Sequence, residues 1–418
     1  MIRIAVLESL SPTAITVMSA STMQGFDDLS SKTSLKFHSK HVFSCRNNIL
    51  SGITFSQWWR ILLIYHPYIE LKYLFRVLFI TVLSIFNSIV ASFESYYFPE
   101  ALIKKIPLPD DPIIIIGHPR TGTTLIHNFL ASDHRNFFHC DNMAAGFPST
   151  FLVMEKFKYL LSGLIDKTRP MDSMPLTLDH PGEDEIATNL LSAGHSYYLP
   201  LMFMQQEVQL RKFLDFNSDL GACDDDFKSW LDAFSFLFRK VVFREMRTGH
   251  LSRRLVIKSP VHTARVPILR KLFPKAKFIY VHRHPEVVFK SAAHMADTMY
   301  WFCYLNTPSD ELVTEFILWQ FEYLWKSYNE AVQMSHNGAR KVTDDTIEVS
   351  YEDLIRRPAD TLKSIYEHVN IPYNEIHFKR EINALSAYRV NNLADLPTSV
   401  KNAVRERWKS YYDAFGYF

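Results

Sequence analysis

The stretch Asp111–Asp133, DPIIIIGHPRTGTTLIHNFLASD, constrains the fold more than any other part of this chain. Pro112 opens a run of four isoleucines, Ile113 to Ile116. Four β-branched residues between turn formers predict a short strand covered on both faces. Gly117-His118-Pro119-Arg120-Thr121-Gly122-Thr123-Thr124 follows, and then an apolar helical pattern at Leu125, Ile126, Phe129 and Leu130. Strand, glycine-bearing loop and helix in that order make a cradle for an anion. Gly117 and Gly122 let the backbone curl so that successive N–H groups face one centre, and the helix N-terminus adds its dipole.

The spacing is that of a nucleotide P-loop, G-x4-G-K-[ST], with Thr123 at the lysine position. A kinase or ATPase needs that lysine on the β- and γ-phosphates, usually with magnesium. Here the fixed cation inside the loop is Arg120. The loop suits a phosphate-like group but not ordinary ATP chemistry.

Downstream, Leu255–Lys258 and Lys277–His282 predict strands, separated by a helix over Thr263–Phe273 and followed by one through Phe289, Lys290 and Ser291. This alternation is a βαβ unit of a parallel sheet. Ligands of such sheets gather at strand carboxyl ends. Lys258, Ser259, Arg283 and the loop all fall there and should converge on one electropositive rim. Thr346–Ser350 predicts a further strand, ending in Tyr351-Glu352-Asp353-Leu354. Phe137–Met154 reads as irregular chain passing into helix. The fold class expected is α/β, a P-loop-type parallel sheet flanked by helices, with an N-terminal apolar helical segment.

Pro181-Gly182-Glu183-Asp184-Glu185 precedes an apolar helical run. Acids on a first helical turn are favoured by the dipole, so capping explains them. Beside a phosphate loop they equally supply a general base. Cys223-Asp224-Asp225-Asp226 reads as a solvated turn and helix cap with no metal set around it. The four cysteines are widely spaced and form no C-x-x-C pattern. A net charge of +2 gives no footing for nucleic acid.

Residues 1–50 read as a cleaved leader or a disordered tail. Residues 51–106 are an apolar helical segment. Val77–Phe93 runs 17 residues without a charge, flanked by Arg60, Lys72, Arg76, Lys104 and Lys105 with Trp and Tyr nearby. A span wants about 20 apolar residues. The stretch 58–98 therefore suits a helix lying in a membrane interface, or one buried in the domain, better than a span. Membrane association is the localisation this implies, with the organelle open. Pro107 and Pro109 set the boundary of a catalytic domain over 107–418.

With both glycine-loop and βαβ blocks in view, the chain resembles the PAPS-dependent sulfotransferases, in the branch of bacterial and algal small-molecule and lipid enzymes with a GHPRTGTT-type loop. PAPS is 3′-phosphoadenosine 5′-phosphosulfate. The resemblance runs from about Trp58 to Asp360. It implies that Pro119, Arg120, Thr121, Gly122, Thr123 and Thr124 form the 5′-phosphosulfate loop. Arg283 and Ser291 match the family's 3′-phosphate pair, Tyr351 the tyrosine at the adenine, and Lys258 the lysine reaching the phosphosulfate. Cytosolic members place a catalytic histidine where this chain has Pro260. Other branches use a glutamate after the loop, here Glu183 or Glu185, with His262 and His118 as reserves. The resemblance implies PAPS as donor, no required metal, and in-line transfer to a hydroxyl. The 32 Phe and 20 Tyr and the apolar segment point to a sterol or other lipid-like acceptor. Two other classes are an ATP-using P-loop kinase and a non-catalytic nucleotide-binding membrane-associated protein.

Overall fold

The computed structural model describes residues 35–249, 252–336, 339–387 and 393–417. Most of the predicted leader or tail lies outside these, at 1–34. Its last part, 35–50, packs on the domain: the Leu35 N–H donates to Thr314 Oγ1 at 3.2 Å and Lys40 pairs with Asp297.

Five strands form one sheet: β1 (Ile113–Ile116), β2 (Phe137–His139), β3 (Arg254–Lys258), β4 (Lys277–His282) and β5 (Thr346–Ser350). Their order is β2-β3-β1-β4-β5, and every pairing is parallel. β1 sits at the centre, with Ile114 opposite Ile257 and Phe278. All four isoleucines are buried. Their side chains alternate, Ile113 and Ile115 joining the core on one face, Ile114 and Ile116 the core on the other. Full burial of each contributes about 1.5–3 kcal/mol, so this strand anchors both layers.

β2 corrects the expectation of irregular chain after the loop. It is a three-residue edge strand, too short to show a period of two.

The helices that frame the site are α1 (Phe55–Tyr65), α2 (Leu74–Tyr97), α3 (Thr123–Ser132), α4 (Asp184–Leu191), α5 (Asp224–Met246), α6 (Pro285–Thr298), α7 (Asp310–Val332), α8 (Tyr351–Arg356) and α9 (Lys409–Phe415). The Cys223–Asp226 stretch caps α5, as its sequence suggests. It is less solvated than expected, because Asp226 is buried against Lys212.

α2 extends the charge-free run at both ends and is not an isolated rod. Its buried face carries Arg76, Ile80, Ser84, Asn87 and Glu94. Arg76 donates to the carbonyls of Tyr304, His41 and Trp301. Asn87 donates to Ser51 O and Ile53 O, and Glu94 pairs with Lys240 of α5. One hydrophobic core cluster contains Trp58, Ile61, Tyr73 and Ile80 together with Ile114, Ile257 and Phe278. The core thus runs across the 106/107 boundary read from the prolines.

Candidate active site

Gly117 and Gly122 shape the loop after β1. Gly117 has φ +141°, and a Cβ there would stand 2.6 Å from Val281 O. Gly122 has φ +102°, and a Cβ would meet the Tyr351 ring at 2.4 Å. Both positions are closed to other residues by backbone and space together. Arg120 takes a left-handed conformation, φ +78°, without being glycine. Such backbone is held only where the surroundings determine it. Here the Arg120 carbonyl accepts from Arg283 Nη1 at 3.2 Å, while Arg120 Nε donates to Ser291 Oγ at 2.9 Å.

α3 starts at Thr123. The first-turn N–H groups of Thr123 and Thr124 have no carbonyl of their own helix to bond. Not every hydroxyl of the loop faces outward. Thr121 is fully buried and its hydroxyl donates to His118 O at 2.8 Å, so it braces the turn instead of facing a ligand. Thr123 and Thr124 line the cavity below.

The cation missing at Thr123 arrives from β3. Lys258 Nζ lies 3.5 Å from Thr124 Oγ1 and 2.6 Å from Glu183 Oε1. Glu183 is the residue before α4, and its other oxygen accepts a bond from the Tyr198 hydroxyl. Burial alone would raise the Glu183 carboxyl, but Lys258 and Tyr198 outweigh it and hold the group below the ordinary carboxylate range. Burial also lowers Lys258, with Glu183 opposing that shift.

The two neighbouring acids point elsewhere. Asp184 accepts from Ser259 Oγ at 3.1 Å and from His262 Nε2 at 2.7 Å. Glu185 forms a two-pronged ion pair with Arg265, at 2.6 and 2.9 Å, and also accepts from Ser196 at 2.7 Å. Glu185 is fully buried away from the cavity, which corrects its candidacy as an alternative base. The reserve histidines are likewise packed. His262 is buried against Phe234. His118 is buried beside Phe321, and burial lowers its pKa to about 3. Among the described residues, Asp184, Glu185 and His262 are close enough together to hold an ion. Their bonds to Ser259 and Arg265 identify them as the anchor that fixes α4 to the end of β3.

Arg283 and Ser291 both bond Arg120, and Tyr351 joins them through Arg283. The Arg283 guanidinium stacks 4.0 Å from the Tyr351 ring centre. The aromatic C-terminal part supports this group: the Arg283 N–H donates to Tyr411 Oη at 3.0 Å, and α9 packs Phe415 on His282. Residues 388–392 and 418 lie outside the described residues.

Three contributors carry no sequence signal strong enough to name them. A turn over 167–176, closed by bonds from the Arg169 N–H to Met174 O and from the Leu176 N–H to Lys167 O, brings Asp172 within 3.0 Å of Arg120 and 3.4 Å of Arg169. Tyr198 is the third.

Arg120, Arg169, Glu183, Tyr198 and Lys258 face a cavity of about 280 Å³. Arg120, Thr123, Thr124, Glu183 and Lys258 form its polar end. The rest is lined mainly by apolar and aromatic groups, among them Phe147, Ile165, Met174, Leu178, Tyr197, Met299, Tyr300 and Phe316. The arrangement is a charged end with a carboxylate–lysine pair, opening on an apolar chamber.

A family model described as sulfotransferase family matches residues 112–375. An omega-hydroxy-beta-dihydromenaquinone-9 sulfotransferase, Stf3, of Mycobacterium bovis is 29% identical over 376 residues, covering 88% of this chain and 90% of its own length. The fold is similar to that of sulfotransferase STF1 from Mycobacterium tuberculosis, with a TM-score of 0.56 at 15% identity over 93% of this chain and 96% of that one. Sulfotransferase STF9 from Mycobacterium avium gives a TM-score of 0.54 at 17% identity, over 79% and 82%.

Proposed function

This chain belongs to the sulfotransferase family, and from that premise we propose that it transfers the sulfuryl group of PAPS to a hydroxyl of a lipid-like acceptor with Glu183 as base. The observation that carries this reading is the Glu183–Lys258 pair, 2.6 Å apart, at the junction of the loop with the apolar cavity.

The residues present fit the donor. Buried Lys258, Arg120 and the N-terminal turn of α3 would hold a phosphosulfate. Arg283, Ser291 and Tyr351 would hold the 3′-phosphate and the adenine. Bound there, PAPS supplies an SO3 group: the acceptor oxygen forms the new S–O bond, the bond to the 5′-phosphate oxygen breaks, and the acceptor proton passes to a base. Arg120 and Lys258 counter negative charge on the oxygens around that centre, which is the main lever of such a site. Glu183 receives the proton. Held ionised by Lys258 and Tyr198, it is ready to accept at neutral pH. The apolar walls align the acceptor and exclude water, which would otherwise compete for the sulfuryl group.

The acceptor follows from the chamber. Its aromatic and methionine lining matches an amphiphilic alcohol, and the mycobacterial relative is named for a hydroxylated dihydromenaquinone. A hydroxylated quinone lipid of that kind, a sterol or a long-chain alcohol is the class proposed. The test is transfer of radiolabelled sulfate from PAPS to such alcohols without added divalent metal. Label on the amphiphilic alcohol is the expected result. Tight binding of adenosine 3′,5′-bisphosphate with no transfer to any alcohol would make the chain a binding protein. Phosphate transfer from magnesium-ATP would make it a kinase.

A further inference from the structure

We propose that the outer face of α2 rests on a lipid bilayer and that the acceptor enters the catalytic cavity directly from it, past Phe75, Phe79 and Leu164. The delivery half of this proposal rests on the lipid-like acceptor read above; the bilayer contact does not.

The helix is inverted relative to a water-facing one. Its only two charged residues, Arg76 and Glu94, are buried, each held by the bonds described above. Leu78, Val82, Ile85, Phe86, Ile89 and Phe93 instead stand out, each 45–66% exposed. A surface helix of a water-soluble domain shows the opposite pattern. A contiguous apolar face of this kind marks a partner or a membrane.

Chemistry and route select the membrane. Exposed cations stand on either side of α2 in the chain, Arg60 and Lys72 before it, Lys104 and Lys105 after it. Lys72 and Lys104 also pair with Glu70 and Glu100. Exposed Trp59, Tyr96 and Tyr97 accompany them. Cations and amphipathic rings beside an apolar face suit the headgroup layer of an anionic bilayer. The helix is long and apolar enough to cross a membrane. However, Arg76, Asn87 and Glu94 fasten one whole side of it to protein, so it lies along the surface. A surface cleft lined by Phe43, Phe75 and Phe79 reaches Leu164, and Leu164 also lines the catalytic cavity. Leu164 is thus the wall common to cleft and chamber, and passage past it is the route proposed.

The test uses the full chain and a Leu78→Glu, Ile85→Glu, Ile89→Glu variant, whose changes touch only the exposed face. Both are floated with vesicles of phosphatidylcholine containing about one fifth phosphatidylglycerol. The wild type should float, and the variant should lose at least about 10-fold in partitioning at an unchanged melting temperature. Turnover of a short soluble alcohol should be unchanged, while KM for a vesicle-embedded alcohol rises. Equal flotation of both chains, or none by the wild type, would overturn the bilayer contact. A wild-type dimer that becomes monomeric in the variant, without lipid binding, would overturn it in favour of a second copy on this face. Flotation with turnover of soluble alcohols only would retire the acceptor reading and the delivery route, and leave the contact standing.

Discussion

Three consecutive acids, Glu183-Asp184-Glu185, divide the work of the site at the scale of single residues. A helix start turns each successive side chain by roughly 100°, so neighbours in sequence face different surroundings. Glu183 precedes the helix and meets Lys258, while Asp184 and Glu185 turn inward to Ser259, His262 and Arg265. The sequence shows acids at a helix start and cannot show this division, because it depends on what β3 and the residues just after it place opposite. Glu185→Gln should therefore act on stability. Breaking a buried ion pair from one side costs about 3–5 kcal/mol, read as a drop in the urea midpoint. Unchanged stability would show that Arg265 does not need its partner. The pH sign is fixed as well. Burial would raise Glu185, but Arg265 outweighs it and the folded group lies below its usual range. Its stabilisation is present above the unfolded value of about 4.3 and is lost as pH falls through the folded one. The Gln variant should lack that part of the acid sensitivity.

At the scale of elements, the loop between β1 and α3 needs a partner that sequence spacing does not name. Tyr351, at the start of α8, lies where a Gly122 side chain would be, and Arg283 stacks on its ring. Gly122→Ala combines a disfavoured φ with this clash, so it should weaken adenosine 3′,5′-bisphosphate binding by at least about 10-fold, for about 1–3 kcal/mol of strain. Isothermal titration reads this directly, and wild-type affinity would mean that Tyr351 moves aside freely. The strands that carry the site were legible. β1, β4 and β5 are short apolar or β-branched runs ended by turn residues, and Lys258, Arg283 and Tyr351 stand at or just after strand ends. β2 and the turn over 167–176 were not legible, since an edge strand of three residues has no periodicity and a turn with one acid between two prolines resembles any solvent loop. The structure nevertheless sets Asp172 on Arg120.

At the scale of the whole molecule, one core continues across the prolines at 107 and 109. Trp58, Ile61, Tyr73 and Ile80 share one core with the central sheet, and Glu94 neutralises the buried Lys240. Sequence reading separates the segments because apolar density changes there, whereas packing is non-local. A fragment over 107–418 would expose this core and leave Lys240 unpaired, so it should fail to show a cooperative unfolding transition. A soluble fragment with a sharp transition would contradict that view. The site itself joins residues from the loop, the start of α4 and the end of β3. The most direct test of the account is single-turnover sulfuryl transfer by Glu183→Gln, with adenosine 3′,5′-bisphosphate affinity measured on the same sample. Loss of a general base predicts a rate lower by about 100- to 10,000-fold with donor-site affinity retained. A variant that binds the bisphosphate normally and transfers sulfate at the wild-type rate would contradict the assignment of Glu183 as the base.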